Sequence, residues 1–229
     1  MEVHEDLKQE ARSEQESPWA ESCESETWKL ETPRGEYVLN RRLEAVLPVL
    51  SGSRLVIDVG VGPATMSRHF PCEVIGCDTS LPMLKHAKKR ISEVVLADAD
   101  HLPFRDKAFD TAFESSCLPY VGDIIQAVRE MARVSSGRVV TFESNRWSLR
   151  RIITGRSSAH PSPPQLKGYH RTVGLRPFVR LVGFAPFLQS RVVFAIWRPI
   201  EKMIERIPLL RCFCGGILVY SGNLHERES

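Results

Sequence analysis

Residues 55–70, LVIDVGVGPATMSRHF, constrain this chain more than any other stretch. Four apolar residues in five positions enclose Asp58, and Gly60, Gly62 and Pro63 follow. That order predicts a buried strand turning sharply into a short helix from Thr65. Glycine reaches backbone conformations closed to other residues, and proline tolerates a helix start. Unpaired N–H groups at such a turn favour a phosphate or a carboxylate. A nicotinamide fingerprint needs a third glycine in G-x-G-x-x-G, and position 65 is threonine. The cradle is therefore open to another nucleoside ligand, or to none.

The chain around it alternates strand and helix. RLVIDVG, EVIGCD, VVLAD, FDTAFESS and GRVVTFES read as strands, with helices at LPMLKHAKKRI and DIIQAVREMARV. A leading helix carries Leu39, Leu43, Val46, Leu47 and Leu50 at helical spacing. This alternation implies a doubly wound, three-layer α/β fold with its loops gathered on one sheet edge. After residue 145 the rhythm changes. Residues 145–170 read as a helix and then a loop, 172–196 as a helix followed by a strand, and GGILVYSGN as a last strand. The 229 residues, 42% of them hydrophobic, suit one domain over 27–229 behind an acidic, polar tail at 1–26, expected to be disordered.

Charge is unevenly spread. Residues 1–50 hold 6 Lys/Arg against 12 Asp/Glu, residues 51–145 hold 11 against 12, and residues 146–229 hold 14 against 4. The basic last third suits an anionic small molecule or the surface of an anionic membrane. It carries no recognisable RNA-binding module, and nucleic acid is not expected. The six cysteines form no CxxC pair and lie at no zinc-like spacing, so no metal is expected. Neither a signal-peptide pattern nor an apolar run of about 18 residues occurs, which reads as a cytoplasmic protein.

The next two strands define the cradle further. Asp78 ends the second strand, placed to accept from two ribose hydroxyls. Asp98 ends the third, placed to accept from an exocyclic amine, with Met83 and Leu102 offering apolar surface for a base. VIDVGVGPAT, VIGCDTSLPMLKHAKKR, LADADHLPFRDKAFD and AVREMARVSSGRVV together resemble the successive motifs of class I S-adenosylmethionine-dependent methyltransferases, in particular the UbiE/type-11 group. The resemblance covers residues 34 to about 145 well and continues more weakly beyond. It implies a Rossmann-like sheet of seven mostly parallel strands in the order 3-2-1-4-5-7-6, with the last strand antiparallel.

It also implies a cofactor, S-adenosylmethionine, leaving as S-adenosylhomocysteine. Asp58, Gly60, Gly62 and Ala64 match the loop that meets the methionine part, although many family members have glycine where Ala64 stands. Asp78 matches the ribose ligand, Thr79 and Met83 flank the adenine, and Asp98 and Ala99 match its edge contacts. Ser115 and Leu118 match the mouth of methyl transfer. Tyr37 and Arg41 match a helix that closes over the cofactor. The activity implied is in-line methyl transfer to a small-molecule acceptor; the alternative is a methyltransferase-like binding protein without catalysis. Alignment and desolvation carry such a reaction, and a base is needed only where the acceptor must lose a proton. His101, Glu114, Tyr120, Asn145, Tyr169 and His170 are the polar residues expected near the mouth, with Tyr169 and His170 the candidates for base or orienting group. Residues 146–210 mix arginines with Trp147, Phe178, Phe184, Phe187, Phe194 and Trp197, and read as a basic, aromatic substrate lid.

Overall fold

The structure is a computed structural model that describes residues 32–154, 160–183, 190–207, 210 and 212–222. The acidic tail at 1–26 and Phe184 and Phe187 of the expected lid lie outside the described residues.

Helix α1 (Pro33–Leu50) opens the fold. Thr32 caps it by accepting from the Gly35 N–H at 3.1 Å, and Pro33 occupies the first turn, where a missing N–H costs nothing. Leu39, Leu43, Val46 and Leu50 are buried on one sheet face together with Val56, Phe113 and Phe142. Seven strands follow: β1 (Leu55–Val59), β2 (Glu73–Asp78), β3 (Glu93–Leu96), β4 (Phe109–Ser115), β5 (Ser135–Ser144), β6 (Arg176–Val182) and β7 (Gly216–Gly222). They form one sheet in the order β3-β2-β1-β4-β5-β7-β6. The first five are parallel, and β7 runs antiparallel to both β5 and β6. Order and direction are those the family resemblance implies.

Helix α2 (Leu81–Ala87) follows β2 and α3 (Ile124–Val134) follows η-turn Leu118–Tyr120. Asp123 caps α3, accepting from the Ile125 and Gln126 N–H groups at 2.9 and 3.0 Å. Met131, Val134 and Val128 of α3 fill the second face of the sheet with Ile57, Ala112 and Val139. Beyond β5 come α4 (Leu149–Thr154), α5 (Pro163–Thr172) and α6 (Arg191–Arg206).

Three local expectations change. The helix expected from Thr65 is a series of turns ending in a 3-10 turn, Ser67–His69. Phe70 is extended (φ −74°, ψ 139°) because Pro71 disfavours helix in the residue before it. The Pro/Ser-rich segment expected as a loop contains α5. Ser162 starts it in a capping box, its N–H donating to Gln165 Oε1 at 2.9 Å, with Pro163 in the first turn. Within 172–196 the described residues hold strand β6 and then the start of α6, the reverse of the expected order. RPFVRLV has the β-branched and aromatic residues that a strand favours, and β6 pairs with β7 through all seven residues. Pro177 fits because β6 is an edge strand. Among the described residues no helix is long and apolar enough to cross a membrane.

Candidate active site

The carboxyl ends of β1, β2 and β4 converge, as they must where right-handed crossovers flank a parallel sheet. The chain leaves β1 through Gly60 (φ +68°), Gly62 (φ +51°) and Ala64 (φ +57°), three left-handed residues in five. Each glycine answers a different demand. A Cβ at Gly60 would lie 2.4 Å from the Cβ of Cys117, so this glycine admits the chain leaving β4. A Cβ at Gly62 would meet nothing within 4 Å, so there the loop opens onto space. The Val61 N–H donates to the Cys77 carbonyl at 2.9 Å and ties the loop to β2.

Asp78 closes the other side. Its Oδ2 accepts from the Gly62 N–H at 2.8 Å and its Oδ1 from the Ser80 N–H at 2.9 Å. Each oxygen keeps a lone pair for a further donor, so the carboxylate can take paired hydroxyls while holding the loop. Burial raises its pKa, against the pull of these backbone donors. Asp58 lies beneath, 4% exposed, and burial with Asp78 nearby pushes it up to about 7. Thr79 is exposed after β2, while Met83, Ala99 and Leu102 are buried beside the loops that follow β2 and β3. Asp98 is exposed and accepts from the Asp100 N–H at 3.1 Å; His101 is exposed as well. An open loop, a two-sided carboxylate and an apolar flank fit a nucleoside.

At the ends of β4 and β5 the structure assembles a polar cluster of which the sequence reading named only Glu114 and Ser115. Glu114 and Glu143 are both fully buried. Glu143 accepts from the Leu118 N–H at 3.2 Å and lies 3.0 Å from His160 Nδ1. Glu114 accepts from the Cys117 N–H at 3.2 Å, and its other oxygen is buried without a partner among the described residues. Burial and the neighbouring Glu143 hold the Glu114 carboxyl well above the usual carboxylate range. Arg42 reaches in from α1, donating to Ser115 at 3.1 Å and Ser116 at 3.2 Å and lying over the Phe142 ring. Burial pulls its pKa down to about 10, against the attraction of Glu143 and Glu114. One signal could have exposed this cluster: Phe-Glu-Ser ends both strands, at 113–115 and 142–144. An acid inside two adjacent apolar strands is a buried polar pair in waiting.

Other expected residues lie elsewhere. Tyr37 and Arg41 are taken up by α6: Tyr37 donates to Glu201 and stacks on Phe194 at 4.4 Å. Arg41 bonds Glu44 and Glu205, both at 2.5 Å, and lies 3.3 Å from Glu201. The residue of α1 that reaches the sheet edge is Arg42, one position on. His170 sits inside the fold, its Nε2 2.9 Å from Thr141 Oγ1 and its Nδ1 2.8 Å from Ser221 Oγ. Ser221 pairs with Val139 in the middle of β5, and Thr141 stands two residues further on, so the ring is held against the body of that strand. Both ring nitrogens are engaged, and burial lowers its pKa to about 4. Tyr169 packs partly buried against the α3-side core. Asn145 is structural, donating to the Cys212 and Cys214 carbonyls at 2.8 Å. Tyr120 is exposed.

Residues 57–140 match the family model described as a methyltransferase domain. Over those residues the chain is similar to the methyltransferase domains of the class I, UbiE/type-11 group, in agreement with the motif resemblance. S-adenosylmethionine is the cofactor of this methyltransferase family. Among named relatives, the malonyl-[acyl-carrier protein] O-methyltransferase of Salmonella typhimurium is 36% identical over 107 residues, 43% of each chain. The demethylmenaquinone methyltransferase of Streptomyces griseus is 33% identical over 139 residues, 57% of this chain and 60% of the relative. The matches thus span about half the length of these relatives. In three dimensions, a SAM-dependent methyltransferase from Archaeoglobus fulgidus superposes with TM-score 0.59 at 23% identity, covering 82% of this chain and 90% or more of its own, namely 93%. The matched residues fall on β1 to β5.

Proposed function

We propose that this chain is an active methyltransferase that transfers the methyl group of S-adenosylmethionine to a small-molecule acceptor, lipophilic or anionic. The observation that carries this reading is the Asp78 carboxylate, 2.8 Å from the Gly62 N–H across an open loop. Gly60, Gly62 and Ala64 would hold the methionine part above buried Asp58, and Asp78 the ribose. Thr79, Met83, Asp98 and Ala99 would enclose the base, and Ser115 and Leu118 would face the transfer mouth. Bound there, the cofactor supplies an already activated methyl group on a sulfonium. The protein's task is then alignment and exclusion of water, which the buried side chains around Leu118 serve.

An acceptor that must lose a proton needs a group to receive it, and we assign that role to His160. Its ring is 14% exposed and is oriented by Glu143 from below at 3.0 Å, the arrangement of a base held by a carboxylate. Arg42 and the residues of 146–210 would set the preference for an anionic acceptor.

Calorimetric titration with S-adenosylmethionine, S-adenosylhomocysteine and NAD tests the cofactor. Micromolar binding of both adenosyl compounds and none of NAD is expected. Asp78→Asn keeps the side-chain shape and should weaken that binding at least about tenfold, since it removes a charged acceptor. Binding of NAD, or no adenosyl compound bound, would reject the reading. Malonyl-[acyl-carrier protein] and demethylmenaquinone, the acceptors in the relatives' names, head the acceptor screen. On an acceptor that loses a proton, His160→Gln should lower turnover while leaving cofactor affinity unchanged.

A further inference from the structure

Helix α6 is amphipathic in the wrong sense for a helix that only packs on a core. It docks on α1 through a polar and aromatic seam: Glu201 and Glu205 meet Arg41, and Phe194 stacks on Tyr37. Its apolar stripe faces out. Val192, Ile196, Ile200, Met203 and Ile207 recur at helical spacing and are 69%, 65%, 39%, 59% and 39% exposed. Isolated exposed apolar residues are ordinary, but four on one helix face, extended by Ile207 just past its end, form a continuous strip, and such strips mark interaction surfaces. No described residue covers it.

The charges beside the strip say what it meets. Arg191, Arg198, Lys202 and Arg206 are all exposed along one flank of α6. Arg191 and Arg198 also pair with Glu36 and Glu44 across the groove to α1. Between Asn145 and Gly222 the sequence holds only two acids, Glu201 and Glu205. Glu201 is fully buried and the Glu205 side chain is 15% exposed, both turned to Arg41. Among the described residues after Asn145, the outward face therefore presents cations and apolar side chains without a carboxylate of its own. The same composition continues on α4, where Leu149, Ile152 and Ile153 are exposed beside Arg150. The Leu149 N–H donates to the Phe213 carbonyl at 3.3 Å, linking α4 to the chain that follows α6.

We propose that the outer face of α6, with α4, is a docking surface for an anionic lipid bilayer, on which α6 lies parallel to the membrane plane. A helix with an apolar stripe and lysine or arginine on its flank buries that stripe at the headgroup boundary while the cations meet anionic headgroups. Sixteen residues make a helix of about 24 Å, long enough to lie along the surface and too short to cross the hydrocarbon. Nucleic acid would use the cations but leave the five apolar residues in water.

The test is co-sedimentation of the full-length protein, without cofactor, with vesicles of phosphatidylcholine alone or mixed with phosphatidylglycerol. Binding to the mixed vesicles is expected at low ionic strength, falling steeply as salt screens the charges, with little binding to phosphatidylcholine alone. The double substitution Ile196→Glu, Met203→Glu should reduce binding at least about tenfold, and Lys202→Gln about fivefold. Unchanged thermal unfolding of both variants separates these effects from misfolding, since every substituted side chain points outward. Equal binding to both vesicle types, or none at low salt, overturns the proposal. So does a solution dimer of the native chain that Ile196→Glu dissociates, which would make the occupant a second copy. Cofactor titration is an independent measurement, so failure here leaves the methyltransferase reading intact, and the converse holds.

Discussion

Gly60→Ala isolates the contact on which the cofactor loop is built. Two terms act together. An alanine at φ +68° sits in the left-handed region, at a cost of about 1–2 kcal/mol. Its Cβ would stand 2.4 Å from Cys117 Cβ and 2.6 Å from Cys117 Sγ, an overlap that must be relieved by moving the β4–α3 connection. Such overpacking costs about 1–3 kcal/mol. The sum is about 3 kcal/mol, which in a chain of this size lowers the melting temperature by roughly 6–12 °C. A double-mutant cycle separates the terms. Cys117→Ala removes the sulfur but keeps the Cβ that makes the closer contact, so it should rescue little. Cys117→Gly removes both atoms and should recover about 2 kcal/mol as coupling energy, leaving the backbone strain. Cys117 has φ −101°, so glycine there needs no unusual conformation. Urea unfolding of the four proteins at one pH provides the energies. A Gly60→Ala variant within 1 °C of native, or rescue by Cys117→Ala equal to that by Cys117→Gly, would refute the argument that the glycine exists to admit Cys117.

Three further substitutions probe the buried charges. Asp58 is raised from 3.8 to about 7, so the folded state holds its proton more tightly than the unfolded chain. Its contribution to stability is full below about 4 and is lost as pH rises to about 7; Asp58→Asn should therefore gain stability relative to native across that window and level off above it, and a difference flat with pH would contradict this. His170 works in the opposite direction: lowered from 6.5 to about 4, its contribution is full above 6.5 and is lost as pH falls. His170→Leu should cost about 2–3 kcal/mol by stranding the Thr141 and Ser221 hydroxyls, with cofactor affinity unchanged; a loss of affinity without loss of stability would return His170 to the site. Arg41→Ala leaves Glu201 and Glu205 facing each other without their cation and should cost about 3–5 kcal/mol, part of which Glu201→Gln in the same chain restores. Absence of that restoration would show that Arg41 acts through something other than α6.

What the sequence determined by itself was the half of the protein in which local and global signals agree. From Leu55 to Ser144, short apolar runs end in Asp58, Asp78 and Asp98, and the glycines fall where the chain must turn. Strand type is legible there, because burial on both faces of a parallel sheet forces continuous apolar strands; the strand order and the reading of the glycine loop as a cofactor loop came from the family resemblance. Residues 146–222 were read less well for an equally physical reason. RPFVRLV becomes a strand by pairing with β7, and α6 shows its apolar residues to the outside, so periodicity pointed to the wrong partner. The polar cluster needed the tertiary structure outright. Glu114 and Glu143 lie 29 positions apart, on the same face of neighbouring strands, and His160 and Arg42 arrive from opposite ends of the described chain. No spacing rule links those four residues. Only the parallel register of β4 on β5, with α1 laid across one face and the approach to α5 across the other, brings them to the edge where Asp78 and the glycine loop already stand.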